Sequence, residues 1–573
     1  MVQSPEDLQA TFCSTLVDEW ARQGVVHAVV CPGSRSTPLA LALWAEERIT
    51  AHAHHDERSG GFLALGLSAA TGEPTVVLTT SGTAAVELHP AVVEAHLAGV
   101  PLLICTADRP PELIGVGAPQ AIDQTHLYGR SVRWFHAPGV ADAAAMPGWR
   151  AMAARAYAET TGLNPGPVHL NLAFREPLIG TPGDLPPARP GGGAWAWRPA
   201  AGAPNAPAVG LADDLAGRRG VIVAGAGSGS GAAVARVANA LGWPVMASPA
   251  AAVWSEPGAP VVPAPDALLR ANRVDLGPEV IVRLGGPLAS RVVGEWLAAS
   301  GAAEVVAAGA LRWADPHGTA SVVLPLTADD LLDAWLLEVA TITPTDGGAW
   351  ARRWRDHGDA AAAALSAALA AEIEPTEPGI ARALVGVLPS GAALVASSSM
   401  PIRDLEWYVR PAVALEGYAN RGANGIDGVV STAVGIALAD PTRPTALLIG
   451  DIAFIHDSNG LLGAAERGLN LVVVVVDNDG GGIFSFLPPS DALAADQFEA
   501  LFGTPHGLDL VALAQAYGAQ ARRVDDLAPA VVDALARGGL HVLLVRTDRH
   551  ANVAVHRRLN DAVALAVERL SSS

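Results

Sequence analysis

Oxygen-bearing side chains follow two apolar runs in the last third of this chain. "TALLIGD" ends in Asp451, and "LVVVVVDNDGGGIF", Leu471 to Phe484, carries Asn478 27 residues later, ahead of Asp479 and three glycines. The run of one leucine and five valines reads as a strand buried on both faces, as in a parallel sheet. In a strand-helix-strand unit both strand ends emerge on one side, where open α/β sheets bind ligands. A carboxylate, an amide oxygen and a glycine carbonyl make a hard, oxygen-only set suited to Mg²⁺, leaving positions for phosphate oxygens and water. The glycines beyond the turn let the main chain come close to such phosphates.

The elements that must position these residues recur along the chain. Strands and helical stretches alternate, which argues for α/β layers with parallel sheets. "GEPTVVLTTSGTAAVELHPAVVEAHLAGVPLLICTADRPP", from Gly72, rhymes with "TRPTALLIGDIAFIHDSNGLLGAAERGLNLVVVVVDNDGG", from Thr442. Ser81 and Gly450 are 369 positions apart, Asp108 and Asp479 371 apart. "HAVVCPGSRS" matches "AALVASSSMP", and "HHDERSGGF" matches "YANRGANGIDG", at nearly the same offset, so we expect two homologous α/β domains. Between them a Pro/Gly-rich stretch from Gly180 reads as a linker, followed by a third α/β unit. Its glycines Gly225, Gly227, Gly229 and Gly231 do not form a clean G-x-G-x-x-G, and no acid ends the next strand for a ribose, so a scaffold role is expected. The expected architecture is three doubly wound parallel-sheet domains over 1–185, 186–345 and 346–573.

Bulk properties exclude several classes. The chain has 573 residues, and a net charge of −20 disfavours a nucleic-acid partner, which demands a basic face. No apolar run approaches the roughly 20 residues needed to cross a bilayer, so no membrane insertion is expected. "MVQSPEDLQATF" has acids where a signal peptide would be basic. Cys13, Cys31 and Cys105 lie far apart without C-x-x-C spacing, which fits a reducing cytoplasm.

Gly-Asp followed roughly 25–30 positions later by a paired amide resembles the thiamine diphosphate (ThDP) motif. This copy departs from it twice: Ile452 stands where glycine is usual, and Asp477 replaces the first asparagine. Neither departure removes a ligand. The resemblance implies Mg²⁺ (or Mn²⁺) held by Asp451, Asn478 and the carbonyl of Gly480, with Ser81, Gly82, Gly450, Ile452, Gly481 and Ile483 against the cofactor. A ThDP aminopyrimidine also needs a carboxyl hydrogen-bonded to N1′, in a mostly apolar pocket that raises its pKa. Glu57 in "HAHHDERSGGFLALG" is the candidate; the neighbouring His52, His54 and His55 read as packing rather than a metal cluster. Glu57 and Asp451 fall in opposite halves of the repeat. The resemblance therefore implies a homodimer or homotetramer with active sites at subunit interfaces.

"CPGSRSTPLALA", "TSGTAAVELHPAVVEA", "TADRPPEL", "GAPQAIDQ", "NRGANGIDG" and "DNDGGGIFSFLP" together resemble the menaquinone-pathway synthases of 2-succinyl-5-enolpyruvyl-6-hydroxy-3-cyclohexene-1-carboxylate (SEPHCHC). The resemblance covers the first and last thirds closely. It implies decarboxylation of 2-oxoglutarate and conjugate addition of the succinyl carbanion equivalent to isochorismate, with a pyrimidine-binding, a central and a diphosphate-binding domain. Substrates with several carboxylates call for arginines, whose forks match carboxylates two bonds at a time. By resemblance Ser34, Arg35, Arg109, Gln120, Ser399, Arg403 and Arg421 line the substrate pocket, with Arg291 from the central domain. Ser34 and Arg35 are expected to open a helix. Ile426 would prop the thiazolium, and Ile483 and Phe484 would wall the site. "GAPQ" carries Pro119 where the family commonly has asparagine, so one polar contact is expected to be missing or supplied elsewhere. The rival readings are another ThDP-dependent 2-oxoacid carboligase or decarboxylase, of acetolactate synthase type, and a non-catalytic nucleotide-binding assembly module.

Overall fold

Three parallel sheets organise the protein in a computed structural model that describes residues 4–196, 211, 215–274, 276–309, 312–339 and 348–572. The first contains β1 (His27–Val30), β2 (Thr50–Ala53), β3 (Thr75–Thr79), β4 (Leu102–Asp108), β5 (Phe135–Gly139) and β6 (Pro167–Ala173), in the order β2-β1-β3-β4-β6-β5. The second contains β7 (Gly220–Ala224), β8 (Val245–Ala247), β9 (Val280–Leu284), β10 (Ala303–Ala307) and β11 (Val322–Leu324), ordered β11-β10-β9-β7-β8. The third contains β12 (Ala393–Ala396), β13 (Glu416–Tyr418), β14 (Thr445–Gly450), β15 (Asn470–Asp477), β16 (Gln520–Arg523) and β17 (Gly539–Arg546), ordered β13-β12-β14-β15-β17-β16. Strand for strand, the first and third sheets share one topology, as the internal rhyme in the sequence requires. The expected linker runs on into residues 197–207, which lie outside the described residues, as does the expected boundary at 345/346.

The chain forms two compact units. One comprises Met1–Ala201, Asn420–Pro441 and His456–Leu469; the other comprises Gly202–Ala419, Thr442–Ile455 and Asn470–Ser573. In the first unit, Phe12, Leu16, Trp20, Leu103, Trp149 and Phe174 pack one face of the first sheet. The helix Glu57–Thr71 crosses the helix Val429–Ala439 through glycines: a Cβ on Gly66 would stand 2.1 Å from the Thr432 carbonyl oxygen, and one on Gly435 2.1 Å from that of Leu63. A contact between backbones cannot yield as a side chain would. Gly66→Val should therefore destabilise the protein by about 1–3 kcal/mol or more, seen as a lowered denaturant midpoint at unchanged slope.

Asp457 ties the same region together. Fully buried, it accepts the Ser431 N–H at 2.7 Å, the Ser431 hydroxyl at 2.9 Å and the Ser59 hydroxyl at 3.3 Å. Burial pushes its carboxyl from the ordinary 3.8 up to about 6. The folded chain thus holds this proton more tightly than the unfolded one does. The associated stability is complete below about pH 4 and lost as pH rises through about 6, a change of roughly 3 kcal/mol. Thermal melts between pH 4 and 7 check this: the wild type should lose more stability across that interval than Asp457→Asn.

In the second unit the glycine loop of the central sheet is closed by the protein itself. The Asp329 carboxylate accepts the Ser230 N–H at 3.0 Å, at the start of the helix Gly231–Leu241, and a Cβ on Gly229 would meet it at 2.5 Å. Gly225 abuts Gly286, whose carbonyl oxygen a Cβ would meet at 1.8 Å. The loop is capped by an internal acid. In the third sheet, β15 pairs with β14 on one side and β17 on the other, and Leu471 to Asp477 are all buried. Burial of each valine there is worth about 1.5–3 kcal/mol, which fixes the register of the strand that ends at Asp477. Among the described residues no helix is long and apolar enough to cross a membrane.

Candidate cofactor and active site

The ends of β14 and β15 bring Asp451 and Asn478 together. Gly450 pairs with Val476, so the next residues of the two parallel strands leave the sheet on the same side. Asp451, buried, accepts the N–H groups of Asn478 at 3.1 Å and Gly480 at 2.9 Å on Oδ2, and that of Ile452 at 2.7 Å on Oδ1. Burial raises its carboxyl above the usual range despite these donors. Asn478 gives Nδ2 to Glu377 at 2.8 Å, while its Oδ1 is buried with no hydrogen-bond partner. An unpaired buried amide oxygen costs about 1–3 kcal/mol, so a cation at this position would satisfy it. The turn itself has room only for glycine: Gly480 has φ +148°, and a Cβ there would stand 2.0 Å from the Gly503 carbonyl oxygen. A Cβ on Gly481 would meet the Phe502 carbonyl oxygen at 2.3 Å, whereas at Gly450 it would meet nothing. Arg549 grips the carbonyls of Asn478 and Asp479, and Arg546 pairs with Asp477 at 2.9 Å.

His506 adds a donor that the sequence reading did not single out. Its Nε2 lies 3.4 Å from Asp451 Oδ2, and Asp451, Asp477 and His506 offer ligand atoms within 4.8 Å of one another. Two donor sets thus share Asp451. Asp477 is already engaged by Arg546 and by the Asp479 N–H, whereas Asn478 Oδ1 has no partner; the oxygen set with Asn478 is the better cation site.

In the first unit, Glu57 begins the helix Glu57–Thr71, whose N-cap Asp56 accepts the Ser59 N–H at 3.2 Å. Glu57 is half-buried; partial burial, reinforced by the carboxylates of Asp56 and Glu87, raises its pKa above the usual range. Beyond β3, Ser81 is fully buried with an unpartnered hydroxyl, as is that of Thr79. Gly82 (φ +84°) gives its N–H to Gln124 at 3.0 Å and lies against Gln120. His52 Nε2 and His27 Nδ1 share a hydrogen bond at 3.3 Å, and burial drops the His52 pKa to about 4; neither histidine belongs to a three-ligand set among the described residues.

The arginines divide by environment. Arg35 is buried, bonded to the Phe174 carbonyl at 3.0 Å and to Glu176 at 2.9 Å, with its Nε unpartnered. Ser34 and Arg35 do not open a helix; they form the turn before Thr37–Ala45, because the helix begins behind Ser36, at the Thr37-Pro38 pair. Arg109 donates to the Pro119 carbonyl at 2.8 Å, so the proline at the departing position still supplies a polar contact through its backbone oxygen. Burial first, then the nearby Arg35, lowers the pKa of Arg109, while Asp108 and Glu176 act against that shift. Glu94 takes the N–H groups of Gly422 at 2.7 Å and Ala423 at 2.6 Å, shaping the loop that carries Arg421 and the half-buried Ile426.

In the second unit, Ser399 (φ +72°) precedes the helix Met400–Tyr408, and Arg403 donates to its carbonyl. Burial lowers the pKa of Arg403. Ile483 and Phe484 are half-buried, so neither is a core residue, and Phe484 packs on Phe502 with ring centres 5.4 Å apart. Arg291 extends into solvent with 86% of its side chain exposed and pairs with Glu295 on its own helix at 2.6 Å. That is a surface ion pair. Glu377 was missed because nothing near it in sequence hints at a role; it stands 101 positions from Asn478.

Comparison with known proteins gives the family. Residues 11–127 match the family described as thiamine pyrophosphate enzyme, N-terminal TPP binding domain, and residues 410–545 match the C-terminal TPP binding domain. The chain is similar to benzoylformate decarboxylase from Polynucleobacter necessarius in fold, with a TM-score of 0.70 at 19% identity over 94% of this chain and 98% of that one. It is 42% identical to the 2-succinyl-5-enolpyruvyl-6-hydroxy-3-cyclohexene-1-carboxylate synthase of Myxococcus xanthus, over 97% of this chain and 98% of the relative. The protein of the same name from Thermobifida fusca is also 42% identical, over 96% and 98%. With such identity across nearly its whole length and both thiamine pyrophosphate domains in place, this chain belongs to the family of ThDP-dependent SEPHCHC synthases.

Proposed function

We propose that this protein decarboxylates 2-oxoglutarate and adds the succinyl unit in conjugate fashion to isochorismate, giving SEPHCHC and carbon dioxide. The observation that carries this reading is the 42% identity to SEPHCHC synthases over almost the entire chain. Asp451, Asn478 and the Gly480 carbonyl would hold Mg²⁺ or Mn²⁺, and the glycine turn would accept the diphosphate; the unpartnered Asn478 Oδ1 supports this assignment. Ser81, Gly82, Ile426, Gly450, Ile452, Gly481 and Ile483 complete the cofactor's surroundings. Bound ThDP supplies the carbanion chemistry at its thiazolium carbon. With ThDP bound, Glu57 would hold and return a proton at N1′ of the pyrimidine, a task favoured by its raised pKa.

Arg35, Arg109, Arg403 and Arg421, with Ser34, Gln120, Ser399 and Phe484, orient the substrate carboxylates so that the two reacting carbons meet in line. Arg291, exposed and paired within its own helix, has the weakest claim to that group. The working protein is a homodimer or homotetramer with active sites at subunit interfaces, organised as pyrimidine-binding (1–185), central (186–345) and diphosphate-binding (346–573) domains. Mass analysis of the products from 2-oxoglutarate and isochorismate, with and without ThDP and Mg²⁺, tests the proposal. SEPHCHC formed only with both substrates and both cofactors supports it; aldehyde release from pyruvate at a comparable rate overturns it.

A further inference from the structure

An amide side chain has two ends of nearly equal size, and only its oxygen can ligate a cation. We infer that Glu377 is a positioning residue that sets the Asn478 amide with its oxygen toward the metal. This rests on the reading of Asn478 as a ligand. Glu377 is the first residue of the helix Glu377–Val385 and is 3% exposed; the preceding Thr376 accepts the Gly379 N–H at 3.1 Å, which anchors the helix start. Its Oε1 accepts Asn478 Nδ2 at 2.8 Å and the Thr547 hydroxyl at 3.3 Å.

On another side the amide meets Gly482, where a Cβ would stand 2.6 Å from Nδ2, so the nitrogen is held between the Glu377 Oε1 acceptor and bare backbone. The main chain of Asn478 is fixed as well, its N–H on Asp451 and its carbonyl on Arg549. Rotation of the amide is the freedom that remains, and Glu377 removes it. Turned over, the amide would aim N–H groups at the cation and take from Glu377 Oε1 the N–H it now accepts. Glu377 itself touches no metal. It acts as an outer partner, of the kind whose loss typically costs about 10–100-fold in metal affinity.

The test is a calorimetric titration of Mg²⁺ into full-length protein at saturating ThDP, for Glu377→Ala, Glu377→Gln, Asn478→Ala and the double variant with both alanines. Glu377→Ala should raise the half-saturating Mg²⁺ concentration about 10–100-fold. Glu377→Gln, which keeps an acceptor oxygen, should recover part of that loss. At saturating Mg²⁺ kcat should stay within a few-fold of wild type, and in the Asn478→Ala background Glu377→Ala should add nothing further. If Asn478→Ala weakens Mg²⁺ binding and neither Glu377 variant does, the inference falls while the site stands. If Asn478→Ala has no effect either, the ligand reading itself falls. Equal losses in the alanine and glutamine variants, tracking a lowered melting temperature of the metal-free protein, would make Glu377 merely structural and overturn the inference. Should Glu377→Ala fail to fold, Glu377→Gln against Asn478→Ala carries the same comparison.

Discussion

Glu57→Gln is expected to lower turnover by about 10²–10⁴-fold, the range that general acid–base catalysis contributes, while ThDP still binds within a few-fold of wild type. The expected loss is one of protonation rather than shape. Glutamine keeps the length of the side chain and its hydrogen-bonding capacity, so the packing at the start of the Glu57–Thr71 helix survives. It cannot exchange a proton with a ring nitrogen. In the wild type, burial lifts the Glu57 carboxyl above its usual range, with Asp56 and Glu87 adding to the effect, so the proton is available closer to neutrality than for an exposed glutamate. Product formation under saturating substrates, paired with calorimetric ThDP binding, separates the two quantities. Wild-type turnover in this variant would remove Glu57 from its role; lost cofactor binding would make it a binding residue instead.

Asp451→Ala should abolish Mg²⁺-dependent ThDP binding, a larger loss than the roughly 10–100-fold expected for an outer partner. Asp451 is the one charged member of the oxygen set, and it also organises the turn by accepting the N–H groups of Ile452, Asn478 and Gly480. Alanine removes both the charge that attracts the cation and the acceptor that shapes the loop around it. Excess Mg²⁺ should not restore binding, and circular dichroism should show the sheet intact, because β14 and β15 owe their stability to buried aliphatic residues. His506→Ala serves as the comparison. If the cation sat among Asp451, Asp477 and His506, that variant would fail equally; on the oxygen set it should keep most of its Mg²⁺ affinity.

Much of this was settled by local pattern. A β-branched run needs no knowledge of the rest of the chain to be read as a doubly covered strand, and two parallel strands joined by a helix must emerge on one face. Asp451 and Asn478 therefore met where their spacing said they would, and the rhyme between the Gly72 and Thr442 segments returned as two sheets with one strand order. The glycine loop at Gly225 reads as a scaffold because its spacing is not clean and it lacks an acid for a ribose; that Asp329, 99 positions beyond Ser230, caps it was not legible. Nor was the buried pairing of Arg35 with Glu176 and the Phe174 carbonyl, or the exposure of Arg291. Local pattern was enough for the alternation of strands and helices, their parallel direction and the side of the third sheet on which Asp451 and Asn478 emerge. Which buried polar group answers which, as Glu377 answers Asn478 across 101 residues, was set by packing, because such pairings arise when distant elements meet and no short-range pattern encodes them.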